Sequence, residues 1–287
     1  MAMLSSNELR FVPAHDPGFP SGLAQLPKPL PGVWVRGALP EQPVVGVVGS
    51  RAASRQGCDV AKRWAADLVR EGYGTVSGGA LGIDAAGHEG TLEAGGFTFA
   101  VLGCGVDVIY PDRHGPLFGR IAAQGGLLSE YPPGTGPRPG QFPVRNRLIV
   151  ALAQAVVVIE ARLRSGALVT ARLAHRRGKR LLALPGSAGT DWLLQSGMAW
   201  PVTDKASLLQ ALSDRPAGAP SGARAEAVVP PVVEALRAGM ETPAAVALYL
   251  GRPLSDVMAA LVEAELEGWV HRGAGSRYEV TRTIHGH

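Results

Sequence analysis

Three short segments of the chain combine glycine with serine, two of them beside arginine, in an arrangement that suits anion binding. Glycine lets a ligand approach the main chain, and backbone amides, hydroxyl groups and guanidinium groups all bind phosphate oxygens. The segments are Gly49-Ser50-Arg51, Ser77-Gly78-Gly79 and Ser165-Gly166, the last preceded by Arg162 and Arg164. The first of them alone could instead be an ordinary strand-to-helix turn with a solvated arginine. Three such turns at one sheet edge favour a ligand with several phosphates, such as a polymer, over a mononucleotide.

A fourth segment, QFPVRNR, adds an aromatic ring to the cations. Phe142 stands beside a proline, and Arg145 and Arg147 flank Asn146, with Arg138 a few residues earlier. Arginine forms bidentate contacts with phosphate, and single-stranded nucleic acids stack their bases on aromatic side chains. The segment therefore predicts phosphate clamps beside a base-stacking platform. The alternative for Phe142 is an ordinary place in the core.

Residues with catalytic potential are few. Asp84 and His88 are four apart on one helix face, where they could orient a general base or supply two metal ligands. The sequence favours local roles, with Asp84 accepting backbone amides at the helix start and His88 hydrogen-bonded nearby. Glu160 could act as a general acid or base, or neutralise Arg162 and Arg164. Because the sequence shows no third metal ligand, Walker lysine or G-x-G-x-x-G fingerprint, we expect no metal, no cofactor and no catalytic residue.

The elements that must position these residues alternate between short apolar runs and amphipathic helices. The predicted strands are residues 44–48, 75–77, 97–102, 127–129, 155–160 and 180–184. Nearly continuous apolar runs such as AVVVI indicate strands buried on both faces, with helices above and below the sheet. This pattern predicts an α/β fold with a doubly wound, mostly parallel sheet. Such sheets bind ligands beyond the carboxyl ends of their strands, where the three small-residue turns fall.

Composition divides the 287 residues into four parts. Residues 1–40 are rich in proline and predict an extended leader packed on the main domain, residues 41–213. Residues 214–223 are rich in proline, glycine and alanine and predict a linker. Residues 224–283 predict a small winged-helix domain, because three helical segments precede a hairpin. The helices are predicted at residues 231–238, 242–250 and 254–267, and the hairpin strands at 269–271 and 278–281.

Charge is distributed unevenly along the chain. The whole chain has a net charge of +4. Residues 135–180 are strongly basic, with ten Lys or Arg and one Glu, whereas residues 224–280 are acidic, with five basic and eight acidic residues. The predicted third helix of the small domain carries four acidic residues and no Lys or Arg, whereas contact with phosphates needs cations. We therefore expect anions to bind the large domain, and the small domain to contact protein.

The sequence gives no sign of membrane insertion or export. Mean hydropathy is +0.11, and the longest apolar stretch falls well short of the roughly 20 residues that span a bilayer. The first residues lack a cationic segment followed by an apolar one. We expect a cytoplasmic protein with no membrane partner.

Several segments between residues 44 and 187 resemble the DNA-processing protein A family (DprA, also called Smf). The matching stretches, in family order across residues 44–187, are VVGVVGSRAASRQG, VSGGALGIDAAGHEGTL, AVLGCGVDVIYP, LLSEYPPGTGPRPGQFPVRNRLI and VVVIEARLRSGALVTARLAHRRGKRLLALPGS. The F-P-x-R-N-R and S-G-x-L-x-T-A elements are the most specific of them. The small C-terminal unit resembles the winged-helix appendage of many members.

The resemblance implies a Rossmann-like domain and a non-enzymatic recombination mediator. Such a protein binds single-stranded DNA, protects incoming DNA and loads the RecA recombinase during natural transformation. The implied partners are single-stranded DNA, RecA, a second copy of the chain and single-strand-binding protein. The family's DNA contacts carry over to Gly49, Ser50, Arg51, Ser77, Gly78, Gly79, Phe142, Asn146, Arg147, Ser165 and Gly166, and the charge pattern adds Arg138, Arg145, Arg162 and Arg164.

Two positions depart from the family pattern. Leu81 stands where the family usually has an arginine, and Arg138 substitutes for a lysine usual near Pro139. Either the affinity for DNA is lower in this chain, or Arg162 and Arg164 compensate.

Two other functional classes remain as alternatives. The sheet architecture also resembles nucleotide-processing phosphoribohydrolases, but only PPGTG matches their motif, and the glutamate that should follow it is missing. A winged-helix transcription regulator conflicts with the acidic third helix of the small domain.

Overall fold

The computed structural model describes residues 9–213, 229–266, 269–273, 275 and 277–281. The chain forms two compact units, Met1–Gly222 and Ala223–His287, and each has its own hydrophobic core. The linker predicted at 214–223 lies outside the described residues. None of the helices in the described ranges combines the length and apolar character needed to cross a bilayer.

The larger unit is built on one mixed sheet. Its described strands are β1 (Leu9–Pro13), β2 (Gly32–Gly37), β3 (Val44–Val48), β4 (Gly74–Ser77), β5 (Thr98–Val101), β6 (Gly126–Ser129), β7 (Ala155–Val158), β8 (Arg180–Ala183) and β9 (Trp200–Pro201). Their order is β1-β2-β6-β5-β4-β3-β7-β8-β9, antiparallel at β1 and β2 and parallel from β6 onward. The six predicted strands are all present, with bounds that differ by at most two residues.

Helices cover both faces of this sheet. They are α1 (Ser21–Ala24), α2 (Arg55–Arg70), α3 (Ile83–Glu93), α4 (Gly115–Gln124), α5 (Gln141–Leu152), α6 (Gly166–Arg176), α7 (Ala188–Gln195) and α8 (Lys205–Ser213). Alternate strand residues point to opposite faces, so Val45 and Val47 pack toward α2 while Val44 and Val48 pack toward α5 and α6. Helices α2, α3, α4 and α8 share the first face, and the other four share the second. The doubly wound α/β fold is therefore confirmed.

The winding direction of the chain reverses at β3. This strand pairs in parallel with β4 on one side and with β7 on the other. The helices that follow β3 and β7 lie on opposite faces, which opens a crevice between the two loops at the carboxyl ends of these strands. Because Val48 is in register with Val158, the loops that begin at Gly49 and Ile159 start side by side.

Residues 9–37 carry more regular structure than the extended leader predicted from the sequence. β1 pairs with β2, and β2 pairs with β6, so the segment adds two antiparallel strands to the edge of the sheet. Val33 and Val35 are fully buried and alternate with partly exposed Trp34 and Arg36. The alternation is hard to recognise in the sequence because prolines are frequent around it, and proline usually argues against a strand. Proline is nevertheless tolerated at edge strands.

The smaller unit forms three helices followed by a two-stranded sheet. Its elements are α9 (Pro231–Arg237), α10 (Pro243–Leu250), α11 (Leu254–Leu266), β10 (Val270–Arg272) and β11 (Tyr278–Val280). Val233, Val246, Val257 and Leu261 are fully buried in its core. The order of elements is the one predicted from the sequence for residues 231–281, and the winged-helix assignment itself stays a prediction.

Close packing of α2 on α3 depends on a glycine. A Cβ atom at Gly90 would overlap the carbonyl oxygen of Lys62 in α2, whereas Gly119 in α4 has open space around the same position. We expect Gly90→Ala to lower the free energy of unfolding by about 1–3 kcal/mol through overpacking. Gly119→Ala should leave it unchanged or raise it by about 0.5–1 kcal/mol, because alanine favours helix. Urea unfolding followed by circular dichroism measures both, and equal effects of the two variants would contradict the role given to Gly90.

Candidate functional site

A cleft of about 600 Å³ lies at the carboxyl edge of the larger sheet. Among the predicted site residues, those that line it are Gly49, Ser50, Arg51, Phe142, Arg145, Asn146, Arg162, Ser165 and Gly166. Its inner surface is apolar, formed by Val48, Ile149 and Ala167. The structure thus brings together two of the three small-residue turns and part of the QFPVRNR segment.

The loops after β3 and β7 are joined by hydrogen bonds. The amide of Ser50 donates to the carbonyl oxygen of Glu160 at 2.7 Å. The Glu160 carboxylate accepts from the amide of Ser54 at 3.0 Å and from its hydroxyl at 2.7 Å. Ser54 in turn caps α2, because its Oγ accepts from the amide of Gly57 at 3.0 Å. Glu160 therefore fixes the start of α2, a role that neither interpretation drawn from the sequence included.

The N-terminus of α6 opens into the same cleft. The hydroxyl of Ser165 donates to the carbonyl oxygen of Arg162 at 2.8 Å, which folds the loop back on itself before the helix begins at Gly166. The first amides of an α-helix have no partner within the helix and carry the positive end of its dipole. Ser165, Gly166 and the side chain of Arg162 together form a positive end of the cleft.

Arg145, Asn146 and Arg147 point in three directions, because successive residues of a helix are about 100° apart. Arg145 is buried and donates to the carbonyl oxygens of Gly78, at 2.7 Å, and Val101. Arg147 is buried in an ion pair with Glu130. Asn146 also lines the cleft, and among these three side chains it is the one with no such internal hydrogen bond or ion pair. Both arginines therefore have internal partners, and Arg145 also borders the cleft; the predicted contact of either with phosphate stays a prediction.

Burial changes the ionisation of these ties. Burial lowers the pKa of Arg145 to about 10, and nearby Asp84 partly offsets this effect, so the guanidinium remains charged at neutral pH. Burial raises the pKa of Glu130, against the opposing effect of Arg147. In both cases burial disfavours the charged form, and the neighbouring group of opposite charge opposes that effect.

The Ser77-Gly78-Gly79 turn does not present a free anion-binding nest. The amides of Gly78, at 3.1 Å, and Ala80, at 3.4 Å, donate to the same carboxylate oxygen of Asp84. The hydroxyl of Ser77 donates to the carbonyl oxygen of Val47 at 2.6 Å. The chain's own carboxylate thus occupies two amides of the turn, and contact of Ser77, Gly78 and Gly79 with DNA stays a prediction. Gly79 packs beneath the ring of Phe118, where a Cβ atom would lie 2.8 Å away.

The local roles predicted for Asp84 and His88 are confirmed. Asp84 holds the turn before α3, and burial raises the pKa of its carboxyl. His88 is buried in a hydroxyl network, with Nδ1 at 2.7 Å from Oγ1 of Thr98, which also meets Thr75 at 2.8 Å. Within the described ranges, no three His, Cys, Asp or Glu side chains come together as metal ligands would.

Phe142 lies half-buried at one side of the cleft. Its ring packs on the main chain of Gly103, where a Cβ atom would lie 2.9 Å from the ring. The guanidinium of Arg51 lies 5.8 Å from the ring centroid, and the ring of Tyr110 lies 5.3 Å away at a tilt of 38°. Tyr110 also lines the cleft, and the sequence assigned it no role. One sequence feature could have indicated it, because Tyr110, like Phe142, is followed directly by a proline.

The basic residues between 135 and 180 do not form one surface. Arg138, Arg162 and Arg164 are exposed, and only Arg162 among them lines the cleft. Farther along, Lys179 donates to the carbonyl oxygen of Ala153 at 2.7 Å, near the opposite edge of the sheet. The segment's charge is thus divided among the cleft, the interior and the far edge.

Comparison with known proteins gives one family and close relatives. The model of the family described as DNA recombination-mediator protein A matches residues 10–214. The chain is 34% identical to the protein Smf of Synechocystis sp., over 94% of this chain and 80% of the relative.

Two solved structures share the fold. DNA processing protein A from Streptococcus pneumoniae is 37% identical, with a TM-score of 0.67 over 71% of this chain and 75% of that one. DNA processing protein A from Helicobacter pylori, whose structure addresses its binding of single-stranded DNA, is 31% identical, with a TM-score of 0.66 over 73% of this chain and 98% of that one.

The buried state of His88 predicts a pH-dependent stability. Burial, with His114 and Arg145 nearby, lowers the pKa of His88 to about 3, against an ordinary value near 6.5. The unfolded chain therefore binds one more proton than the folded chain between these values, so stability falls as the pH drops below about 6.5. From pH 7 to pH 5 we expect the wild type to lose about 2 kcal/mol more than His88→Gln. Urea unfolding at both pH values tests this, and parallel losses in the two proteins would contradict it.

Proposed function

The chain belongs to the DNA recombination-mediator protein A family, and from this premise we propose that it is a single-stranded DNA-binding recombination mediator. In this proposal it acts in the cytoplasm, protects incoming DNA and loads the RecA recombinase onto it during natural transformation. The proposed activity is binding and delivery, without catalysis. The observation that carries it is the cleft at the carboxyl edge, which combines cations and main-chain amides with an accessible aromatic ring.

The proposed phosphate-binding groups and the proposed base-binding ring lie at different points along the carboxyl edge of the sheet. Phosphate-binding groups follow β3 and β7, whereas Phe142 packs on the loop after β5. Three strand spacings of about 4.8 Å separate β5 from β7, or about 14 Å. At roughly 3.4 Å per stacked nucleotide, this distance corresponds to about four nucleotides. Contacts spread between the loops after β5 and β7 therefore favour an oligonucleotide over a single nucleotide.

Phosphate contacts are assigned to the groups that the structure leaves facing the cleft. They are Gly49, the side chains of Ser50, Arg51, Asn146 and Arg162, and the N-terminus of α6 at Ser165 and Gly166. Arginine and helix N-termini bind phosphate without reading sequence, which suits a protein that must accept any incoming strand. Phe142 supplies the corresponding base contact, because every base has a stacking face.

The same arrangement argues against the phosphoribohydrolase alternative. A hydrolase needs a carboxylate free to reach its substrate, whereas Glu160 accepts two hydrogen bonds from Ser54. Asp84, the carboxylate that borders the cleft, is bound to the amides of Gly78 and Ala80. Both carboxylates shape the cleft in our proposal and neither acts on the ligand.

Partners other than DNA rest on the family. A related structure, from Helicobacter pylori, addresses single-stranded DNA binding by its own protein. RecA, a second copy of this chain and single-strand-binding protein are proposed here as the protein partners. The acidic composition of the smaller unit makes it the better candidate for a protein contact than for a phosphate contact.

Loss of Arg51 should weaken DNA binding through charge. For Arg51→Ala, we expect a lower affinity for an oligo-dT strand and a log–log salt slope reduced by about 0.7, as for one lost phosphate contact. Phe142→Ala should cost about 1–3 kcal/mol with the salt slope unchanged. Arg70→Ala is the matched control, because Arg70 is the last residue of α2 and lies about 22 Å from the first. Fluorescence anisotropy across a salt series measures all three, and wild-type affinity in both cleft variants would contradict the assigned site.

RecA loading needs a separate measurement. On single strands already coated with single-strand-binding protein, we expect the chain to stimulate RecA-dependent strand exchange, because a mediator must help RecA displace the coat. Arg51→Ala should stimulate less and Arg70→Ala as well as wild type. DNA binding without any stimulation would identify a passive DNA coat and contradict the loading function.

A further inference from the structure

Tyr110 is an exposed aromatic residue to which the proposed function assigns no contact with DNA. It follows β5, before α4, and its side chain is 44% exposed while it lines the cleft. Single exposed aromatic residues are common on protein surfaces and need no explanation by themselves. Tyr110 differs because its ring lies against the proposed base platform, 5.3 Å from the centroid of Phe142.

The loop that carries Tyr110 is held in place by its own hydrogen bonds. The amide of Val108 donates to the carbonyl oxygen of Gly105 at 3.0 Å, and the amide of Gly105 donates to that of Thr135 at 2.9 Å. The carboxylate of Asp107 accepts from the amide of Gly134 at 2.9 Å. These bonds tie the loop to the one after β6. The main chain just before Tyr110 is therefore held in place, which lowers the backbone entropy lost when a ligand binds.

Arg51, Phe142 and Tyr110 all line the cleft. Phe142 contacts both of the others, with Arg51 on the loop after β3 and Tyr110 on the loop after β5. The two rings touch each other, so no base fits between them, and each has its own exposed surface for a ligand. A strand held by its phosphates near β3 and β7 would reach both rings where it runs toward β5.

We propose that Tyr110 is a second base-contacting residue, which binds the base adjacent to the one on Phe142. The inference rests on the proposed function, since it extends the same DNA path. It assigns two successive bases to two rings, and it makes the loop after β5 part of the binding surface. Stacking on aromatic residues does not depend on base identity, so the extension adds affinity without sequence preference.

The test uses the full chain and oligo-dT strands that carry one 2-aminopurine at successive positions. In the wild type, we expect fluorescence quenching at two adjacent positions. Tyr110→Ala should abolish quenching at one of them and weaken binding about 5- to 150-fold, with the salt slope unchanged. Tyr110→Phe should retain both, and Tyr110→Leu should lose the quenching while keeping an apolar side chain. Ile109→Ala is the matched control, as the neighbouring residue is 48% exposed and lies outside the cleft.

A double variant separates base contact from support of Phe142. If Tyr110 binds its own base, the losses from Tyr110→Ala and Phe142→Ala add; if Tyr110 only holds Phe142, the second loss disappears in the Phe142→Ala background, which overturns the inference. Wild-type binding by Tyr110→Ala alongside weak binding by Phe142→Ala overturns it as well, and leaves the proposed function standing. No DNA binding by the wild type overturns both.

Discussion

The guanidinium of Arg145 is the interaction on which the carboxyl edge of the sheet depends. It leaves α5 and donates to the carbonyl oxygens of Gly78 and Val101, where β4 and β5 end. Asp84 binds the amides of the same turn from α3. Two helices and two strand ends therefore meet at the buried guanidinium of Arg145 and the buried carboxyl of Asp84, each of which opposes the effect of burial on the pKa of the other. Truncating either partner would leave the other charge buried without compensation, which is among the costlier changes a core can undergo.

The parallel part of the fold could be predicted from the sequence because its strands are buried on both faces. Runs such as AVVVI carry that information in every residue, and glycines mark their ends. β1 and β2 were missed because their alternation is short and lies among prolines. β2 pairs with β6, and pairing between segments so far apart leaves no local trace in either sequence.

The site could be predicted only in part. The turns at Gly49 and Gly166 were recognised because the topology of parallel strands brings them together. The direction of each side chain was not predictable, since it depends on where α5 begins: Gln141 is its first residue, and this turns Arg147 toward Glu130 and leaves Asn146 at the cleft. Composition counts charges, but burial and pairing determine which of them a ligand can reach.

The antiparallel edge has a consequence for synthesis on the ribosome. β1 and β2 emerge early, yet β2 obtains its second neighbour only when β6 has been made, roughly 90 residues later. At about 5–20 residues per second, the interval is on the order of 5–20 seconds. During it, Val33 and Val35, which end fully buried, have no completed core to enter. The nascent chain thus carries an unpaired strand edge for seconds, a natural target for chaperones that bind emerging apolar segments.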